Sequence, residues 1–395
     1  MYIPGYYEFV NPGKILSGKY ALENISTEFK LFGSSRVMIL SDKVLEKLGQ
    51  VQILSDALIS GGVKVVEIYT DIPADSSIEV VNKIAELYRK ANADSIVALG
   101  GGSVIDTAKG LRMLISQGGT DILKFVGAEV LPYAKHVPFA AVPTTSGTGS
   151  EATAVAVIKD NGRKVKMEFI SQFLLPDLAV IDERFTTSMP AKVTAMTGLD
   201  ALTHAIESYS CLQKNPVSQC YARSAIELIK DNLITCIESP NDRKARLAMA
   251  NGSLLAGSAF SNSMVGIVHA IGHSLGGVCS LPHGLAMAIL LPHCMRFNLD
   301  KCRDDYTEIL KMFVTPEEFV AVPASQRAEK CIEVVTAFAH SAAEKAGLSL
   351  KLGDNKINRD DFNEVAQRAI NDGALIVNPK AAGLEDVLAI LNAAY

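Results

Sequence analysis

The sequence lacks two features that would point to a large charged or apolar partner. It has no excess of basic residues, because 38 lysines and arginines stand against 43 acidic residues for a net charge of −5. Nucleic-acid binding depends on basic side chains that neutralise phosphates, so this balance argues against a nucleic-acid partner. No apolar run approaches the roughly 20 residues that a membrane span needs, so no membrane partner is expected.

Paired cysteines and a secretory signal are also missing. The seven cysteines are spread singly, and no Cys-x-x-Cys pair occurs among them. This usage predicts reduced, mostly buried thiols and excludes a disulfide framework or a zinc ribbon. The first 14 residues show no basic segment followed by an apolar stretch. We therefore expect a cytoplasmic protein.

The remaining composition is that of a globular protein with more than one domain. Hydrophobic residues make up 48% and charged residues 21% of the 395 residues. A chain of this length is enough for about two or three domains. Because a large chain buries most of its unfolded surface, no disulfide or structural metal is needed for folding.

The first half of the chain alternates between short β-branched runs and helical stretches. This alternation predicts a parallel sheet covered by helices on both faces. A hairpin is expected around Asn161-Gly162, between strands at residues 152–158 and 164–170, because Asn-Gly favours a tight reversal. The predicted strands of the sheet are residues 36–40 (the first clear strand), 64–69, 95–99, 138–142 and 178–182, with a helix at residues 77–91.

The second half changes to a helical periodicity of 3.6 residues. Beyond about residue 185 the pattern predicts only helices. The sequence therefore predicts two domains, residues 1–185 and residues 186–395. The predicted helices of the second domain are residues 191–210, 216–237, 242–260, 267–279, 324–346 and 360–371.

A glycine-rich turn follows the predicted strand at residues 95–99. Gly100, Gly101 and Gly102 remove side chains and let backbone approach a ligand closely. Ser103 then opens a helix whose free N–H groups and dipole favour an anion such as a pyrophosphate. The pattern departs from GxGxxG because Ile105 replaces the third glycine. An ordinary tight turn is the alternative.

A second loop and an aspartate follow two other predicted strands. Residues 143–151 (PTTSGTGSE) combine hydroxyls and glycines that suit phosphate and ribose contacts, although an ordinary Ser/Thr turn would have the same composition. Asp42 follows the strand at residues 36–40. A carboxylate there can bind ribose hydroxyls and repel a 2′-phosphate, which favours NAD over NADP. The alternative for Asp42 is the N-cap of the next helix.

The helical half contains an aspartate and four histidines at spacings that suit a metal. Asp200 and His204 share one helical face through their i, i+4 spacing, and His269 and His273 repeat it. His283 follows ten residues later. One carboxylate together with imidazoles suits Fe(II) or Zn(II). A metal ion held in this way, with one coordination position open, would bind and polarise an alcohol oxygen. The alternative is that these histidines lie in the core, make their hydrogen bonds within the protein and bind no metal.

Together these segments resemble the iron-dependent (group III) alcohol dehydrogenase family over nearly the whole chain. The resemblance begins at Asn11-Pro-Gly-Lys and rests on several long motifs in one order. These are GGGSVIDTAK, PTTSGTGSEAT, LPDLAVID, TGLDALTHAIE, HAIGHSLGG, PHGLAMA and LLPHCMRFN.

The resemblance implies an α/β fold in which an N-terminal parallel-sheet domain binds a dinucleotide. An all-helical metal-binding and catalytic domain follows, with the active site in the cleft. It implies Asp200, His204, His269 and His283 as metal ligands, with His273 near substrate and nicotinamide. It also implies Phe260 in the substrate pocket. The predicted cofactor contacts are Asp42, Gly100, Gly101, Gly102, Ser103, Asp106, Thr144, Thr145, Ser146, Thr148, Thr153 and Lys166.

The implied activity is hydride transfer between NAD and a small primary alcohol or diol and its aldehyde. The metal would be Fe(II), with Zn(II) as the alternative, and the family favours a homodimer or larger homo-oligomer. His273 would relay the alcohol proton; otherwise it would only orient a metal ligand. Met287 and Ile271-Gly272 depart from the commoner family residues, which leaves the pocket shape and substrate open.

Three other functions are compatible with the same sequence features. A glycerol dehydrogenase-like enzyme would bind zinc with fewer histidines, and a dehydroquinate synthase-like enzyme would use the fold and NAD for a lyase reaction. A nucleotide-binding sensor without catalysis is the third. The intact Asp-His-His-His set and the HAIGH pattern favour the alcohol dehydrogenase.

Overall fold

A computed structural model describes residues 2–11, 13–127, 131, 135–163 and 165–395. The chain divides into two compact units, Val10–Ser188 and a second made of Met1–Phe9 with Met189–Tyr395. The unit boundary thus follows residue 188, whereas the sequence predicted it after residue 185. The first residues belong with the helical unit, where the Tyr2 backbone N–H donates to Gln219 Oε1 at 3.2 Å.

The described residues of the first unit form eight strands. In chain order they are β1 Lys14–Ser17, β2 Arg36–Leu40, β3 Lys64–Tyr69, β4 Ser95–Gly100, β5 Phe139–Pro143, β6 Val155–Asp160, β7 Val165–Ile170 and β8 Leu178–Ile181. Six of them form a parallel sheet in the order β1-β8-β5-β4-β2-β3, and β6 and β7 form a separate antiparallel hairpin.

Helices cover both faces of this sheet, as the alternation predicted. On β2, Val37 and Ile39 pack on one hydrophobic core, and Met38 and Leu40 pack on the other. Successive side chains of a strand point to opposite faces, so a strand buried on both faces must be apolar throughout. The helices of this unit are α1 Ile25–Leu31, α2 Lys43–Lys47, α3 Gln50–Ser60, α4 Ile78–Lys90 and α5 Gly102–Ser116.

The chain order of the strands creates a switch point between β2 and β4. From β2 the chain moves outward to β3 and then returns to β4 on the other side of β2. In open parallel sheets, ligands bind at the carboxyl ends of the strands at such a point. Asp42 follows β2, and the three glycines end β4 and begin α5.

Two local predictions in the first unit were incomplete. Strand β1 was missed, because four mostly exposed residues at a sheet edge give no apolar run. The β6-β7 hairpin is present, but Asp160 pairs with Val165, so four residues separate its strands where the predicted strand bounds left the five residues 159–163. Lys164, predicted to start the second strand, lies outside the described residues.

The second unit is helical, and its described residues contain no strand. Its longest helix was missed because Pro292 and a non-helical Cys302 interrupt the periodicity of α10. Among the described residues, no helix is long and apolar enough to cross a membrane. The helices are α6 Ala191–Ser210, α7 Pro216–Glu238, α8 Arg243–Phe260, α9 Ile267–Cys279, α10 His283–Phe313, α11 Pro316–Ala321, α12 Arg327–Ala346, α13 Phe362–Ala369 and α14 Leu384–Ala393.

Candidate metal centre and nucleotide loops

Three helices of the second unit bring the four predicted ligands together. Asp200 and His204 lie one turn apart on α6, His269 lies in the first turn of α9, and His283 is the first residue of α10. One donor atom from each side chain lies within 4.8 Å of all the others. The i, i+4 spacing aligns only the first pair, so the packing of α9 and α10 against α6 completes the set.

The donors surround Asp200 Oδ1. His283 Nε2 lies 3.4 Å from this oxygen, His269 Nε2 lies 3.8 Å from it, and His204 Nδ1 lies 4.0 Å from it. Asp200, His204 and His269 are buried. This is the spacing of atoms gathered around a common centre, since bonds to a divalent ion are about 2.0–2.2 Å long.

Three of these buried atoms have no hydrogen-bond partner: Asp200 Oδ1, His204 Nδ1 and His269 Nε2. An unpaired buried polar atom costs about 1–3 kcal/mol, so three at one point require an explanation. A divalent cation supplies it, because imidazole nitrogens and one carboxylate are its usual ligands. The residues present therefore fit Fe(II) or Zn(II).

The site is open on one side. The side chain of His283 is 42% exposed and that of His273 is 36% exposed. Their rings stack with centroids 5.5 Å apart. His273 Nδ1 pairs with Asp372 Oδ2 at 3.0 Å, so its partner is a carboxylate outside the ligand set. His283, the fourth predicted ligand, and His273, the predicted proton carrier, thus lie together at the accessible edge of the cluster.

Phe260 ends α8 and lies against the ligand cluster. Its ring stacks on His204, with centroids 4.3 Å apart and planes 17° apart. His204 stacks in turn on His269 at 4.5 Å. Phe260 therefore restricts the orientation of a ligand ring, a contact that the sequence did not predict.

Burial and carboxylates give the two buried histidines different protonation. Burial lowers the pKa of His204 to about 3, so this ring is neutral at pH 7. Burial also opposes charge on His269, but the carboxylates of Asp200 and Glu207 raise its pKa to about 9. A metal ion that binds Nε2 of His269 must therefore displace a proton.

Sequence reasoning missed Glu207. It lies on α6, and its Oε2 is 2.6 Å from His269 Nδ1. The signal was available, because Glu207 closes the quoted segment TGLDALTHAIE at positions i+7 from Asp200 and i+3 from His204. Helical spacing places it beside these ligands, but only the tertiary structure shows that it meets α9.

Met287 and Gly272, two of the positions that leave the pocket shape open in the sequence, lie against each other. Met287 and Ile271 are fully buried. A Cβ added to Gly272 would lie 1.8 Å from Met287 Cε, so the methionine fills the space that the glycine leaves. The departures at positions 272 and 287 therefore compensate each other in the packing of α9 against α10.

The glycine turn and the second loop of the first unit lie against each other. A Cβ on Gly101 would lie 3.3 Å from Thr145 Cγ2, and one on Gly102 would lie 3.0 Å from Thr148 Cγ2. The Thr144 N–H donates to the Gly100 carbonyl at 3.1 Å. The glycines thus admit the second loop as well as leaving backbone accessible at the start of α5.

Several predicted cofactor residues have protein partners. Asp42 Oδ1 accepts from the Val44 and Leu45 N–H groups, which is the N-cap alternative, although Asp42 still lies at the switch point. Ser146 is buried, and its Oγ has no hydrogen-bond partner. Ser103 Oγ accepts from the Asp75 N–H at 3.2 Å, and Asp75 pairs with Lys166 at 2.7 Å.

Two predicted contacts lie behind the loops. Asp106 accepts from Ser150 Oγ at 2.6 Å and from the Val157 N–H at 2.9 Å. Thr153 Oγ1 accepts from Lys109 Nζ at 2.8 Å. These groups hold the second loop and β6 against α5, so their hydroxyl and carboxylate oxygens are already engaged.

Comparison with known proteins agrees with this geometry. The family model described as iron-containing alcohol dehydrogenase matches residues 12–183, and the C-terminal model of the Fe-containing alcohol dehydrogenase family matches residues 194–395. The chain is similar to NAD-dependent methanol dehydrogenase of Bacillus methanolicus, with 31% identity over 97% of this chain and 98% of the relative.

Two further proteins match over almost their full length. The 1,3-propanediol dehydrogenase of Klebsiella pneumoniae is 32% identical over 98% of this chain and 99% of the relative. The solved structure of an alcohol dehydrogenase from Oenococcus oeni superposes with a TM-score of 0.93 at 32% identity. It covers 99% of this chain and 100% of that one.

Proposed function

The chain belongs to the iron-containing alcohol dehydrogenase family, and we propose that it interconverts a small primary alcohol or diol and its aldehyde with NAD. The observation that carries the proposal is the cluster of Asp200, His204, His269 and His283 with three unpartnered buried donor atoms. A divalent ion there supplies Lewis-acid polarisation of an alcohol or carbonyl oxygen, and nicotinamide supplies the hydride acceptor or donor.

His273 is the proposed proton carrier. Its Nδ1 is engaged by Asp372, which leaves Nε2 of the exposed ring to exchange a proton with substrate or solvent. The carboxylate holds the ring in one orientation, as carboxylates do for catalytic histidines. The alternative is that His273 only supports His283 through their stacked rings.

A variant separates these two roles of His273. We expect His273→Asn to lower kcat by about 10²-fold or more, with the loss partly recovered at high pH, because the alcohol proton then leaves without a carrier. The metal content is expected to stay at the wild-type level. A loss of bound metal with an unchanged pH profile would instead assign His273 to the support of His283.

NAD is proposed to bind where β2, β4 and β5 end. The start of α5 offers free N–H groups and a positive dipole end to the pyrophosphate. Asp42 is proposed to bind the adenosine ribose through the carboxylate oxygen that does not cap α2, and Phe260 to border the substrate. The other proposed contacts are Gly100, Gly101, Gly102, Ser103, Thr144, Thr145, Ser146, Thr148 and Lys166, with Asp106 and Thr153 acting through the loop they hold.

The substrate class follows the named relatives, which act on methanol and 1,3-propanediol. Iron is the proposed resident metal because of the family, and zinc accepts the same ligands. We further propose a cytoplasmic homodimer or larger homo-oligomer, which light scattering of the purified protein tests. The unit Val10–Ser188 is proposed to bind NAD and the helical unit to bind the metal.

Anaerobic purification, elemental analysis and an NADH-linked assay across short alcohols and aldehydes test the function. We expect one iron or zinc per chain and turnover that chelation abolishes. His269→Ala is expected to lose both metal and turnover, whereas His340→Ala, an exposed histidine remote from the cluster in sequence, keeps both. Metal and turnover that survive in His269→Ala would refute the proposed site.

A further inference from the structure

Glu207 makes two contacts with the start of α9. Its side chain is only 7% exposed. Oε1 accepts from the Val268 N–H at 2.7 Å, and Oε2 lies 2.6 Å from His269 Nδ1. Both carboxylate oxygens are therefore used on adjacent residues, one on backbone and one on a proposed metal ligand.

The start of α9 depends on such contacts from other elements. Its N-cap residue, Gly266, has no side chain to cap the free N–H groups. Asn378 Oδ1 accepts from the Ile267 N–H at 3.1 Å, and Glu207 takes the next N–H. A carboxylate at this end of a helix is also favoured by the helix dipole. Glu207 and Asn378 thus share the capping, but only Glu207 touches a ligand.

The second contact of Glu207 fixes the chemistry of the His269 ring. An ionised carboxylate can only accept hydrogen bonds, so Nδ1 of His269 must carry the proton that it donates. The neutral ring that binds a metal then has its lone pair on Nε2, the atom that faces Asp200 Oδ1 at 3.8 Å.

We propose that Glu207 is a positioning residue that fixes both the tautomer and the place of His269 for metal binding. The proposal rests on the proposed metal-dependent function. Glu207 lies on α6, the helix that carries Asp200 and His204. Through this residue, α6 also sets the position and ring orientation of His269 on α9. Carboxylates that orient ligating histidines typically contribute 10–100-fold to metal affinity.

Glu207→Gln is the informative substitution because it keeps the size of the side chain. Glutamine has one acceptor oxygen, whereas the Val268 N–H and His269 Nδ1–H need two. With that oxygen on Val268, the amide NH₂ meets Nδ1 and favours the tautomer with its proton on Nε2, where the metal binds. The variant therefore keeps the hydrogen bond that caps α9, but it favours the His269 tautomer whose proton occupies the metal-binding nitrogen.

The test compares Glu207→Gln with Asn378→Ala and wild type, using Zn(II) affinity from chelator competition and the melting temperature of the metal-free protein. We expect Glu207→Gln to weaken the Zn(II) Kd by about 10–100-fold and also to lower the metal-free melting temperature, because the buried His269 ring loses its carboxylate partner. Asn378→Ala is expected to lower that melting temperature and keep the wild-type Kd.

A third variant, Glu207→Asp, retains a carboxylate. It is expected to bind Zn(II) more tightly than Glu207→Gln, and equal or weaker binding would contradict the tautomer argument. Wild-type affinity in Glu207→Gln would overturn the positioning role outright. Failure of the wild-type protein itself to bind Zn(II) or Fe(II) would instead overturn the proposed function, so the two failures are distinguishable.

Discussion

Among single residues, a lysine and a glutamate are buried next to the glycine turn and the second loop. Lys109 Nζ is fully buried and donates to Ser150 Oγ at 2.9 Å, Thr153 Oγ1 at 2.8 Å and the Val155 carbonyl at 2.7 Å. Burial lowers the pKa of Lys109 to about 8 and raises that of Glu151 to about 7. Each charge is thus costly to bury, and the hydrogen bonds of Lys109 offset part of that cost.

The raised pKa of Glu151 predicts that the stability of the protein depends on pH. Between pH 4.5 and about 7, folded Glu151 keeps a proton that the unfolded chain releases, so its contribution to the free energy of unfolding falls as the pH rises. Glu151→Gln removes this loss. We expect its melting temperature relative to wild type to increase from pH 5 to pH 8, as measured by calorimetry. The exposed Glu317→Gln variant is the control, and a constant offset in Glu151→Gln would contradict the prediction.

At the scale of elements, the start of α5 and the loop after β5 are fitted to each other. Gly102 begins α5, and the Thr148 methyl group occupies the space beside it. The glycine therefore has a packing role in addition to the ligand role that the sequence predicted. An added Cβ would lie 3.0 Å from Thr148 Cγ2, so Thr148 or its loop must give by a few tenths of an ångström.

This fit predicts that Gly102→Ala weakens NADH binding and that a second change restores it. A shift of the loop is expected to raise the NADH Kd by about tenfold, since overpacking costs about 1–3 kcal/mol. Thr148→Ser removes the methyl group and keeps the hydroxyl, so the double variant is expected to recover affinity in a fluorescence titration. Thr148→Ser alone is the control, and no recovery would show that Gly102 acts only by admitting the ligand.

Considered as a whole molecule, the predicted metal ligands and the predicted nucleotide-binding loops lie in separate compact units. The predicted metal ligands all lie between residues 189 and 395, and the glycine turn and second loop lie in Val10–Ser188. A ligand that binds only the folded protein stabilises it according to its concentration and Kd. Because a metal held by these side chains would join α6, α9 and α10, we expect its stabilisation to be confined to the helical unit.

Chelation is therefore expected to change hydrogen exchange locally. Metal removal should raise deuterium uptake in residues 198–207, 266–274 and 281–287, which surround the four ligands. Peptides from β2, β4 and β5 should exchange as before, and NAD should protect these instead. Mass spectrometry of the metal-loaded and chelated protein measures both responses. Equal uptake changes in the sheet would contradict this separation.

Local sequence was sufficient for much of the architecture. The β-branched runs predicted five of the six parallel strands. Strands β2, β4, β5 and β8 are buried on both faces and therefore largely apolar, whereas the edge strand β3 was predicted from its β-branched Val65, Val66 and Ile68. The 3.6-residue pattern predicted α6 and α9 to the residue. Strand β1 and helix α10 were missed, because an edge strand needs little apolar surface and Pro292 disturbs the helical pattern.

The sequence by itself also predicted the chemistry of the site: the types and spacing of an aspartate and several histidines indicated a metal, and the family resemblance assigned Asp200, His204, His269 and His283 as its ligands. Only the tertiary structure decided that Glu207 orients His269. Helical spacing relates residues within α6, whereas a contact between α6 and α9 depends on how the two helices pack. The same reason hid the Gly272–Met287 contact: local periodicity shows which face is buried, but not which side chain it meets.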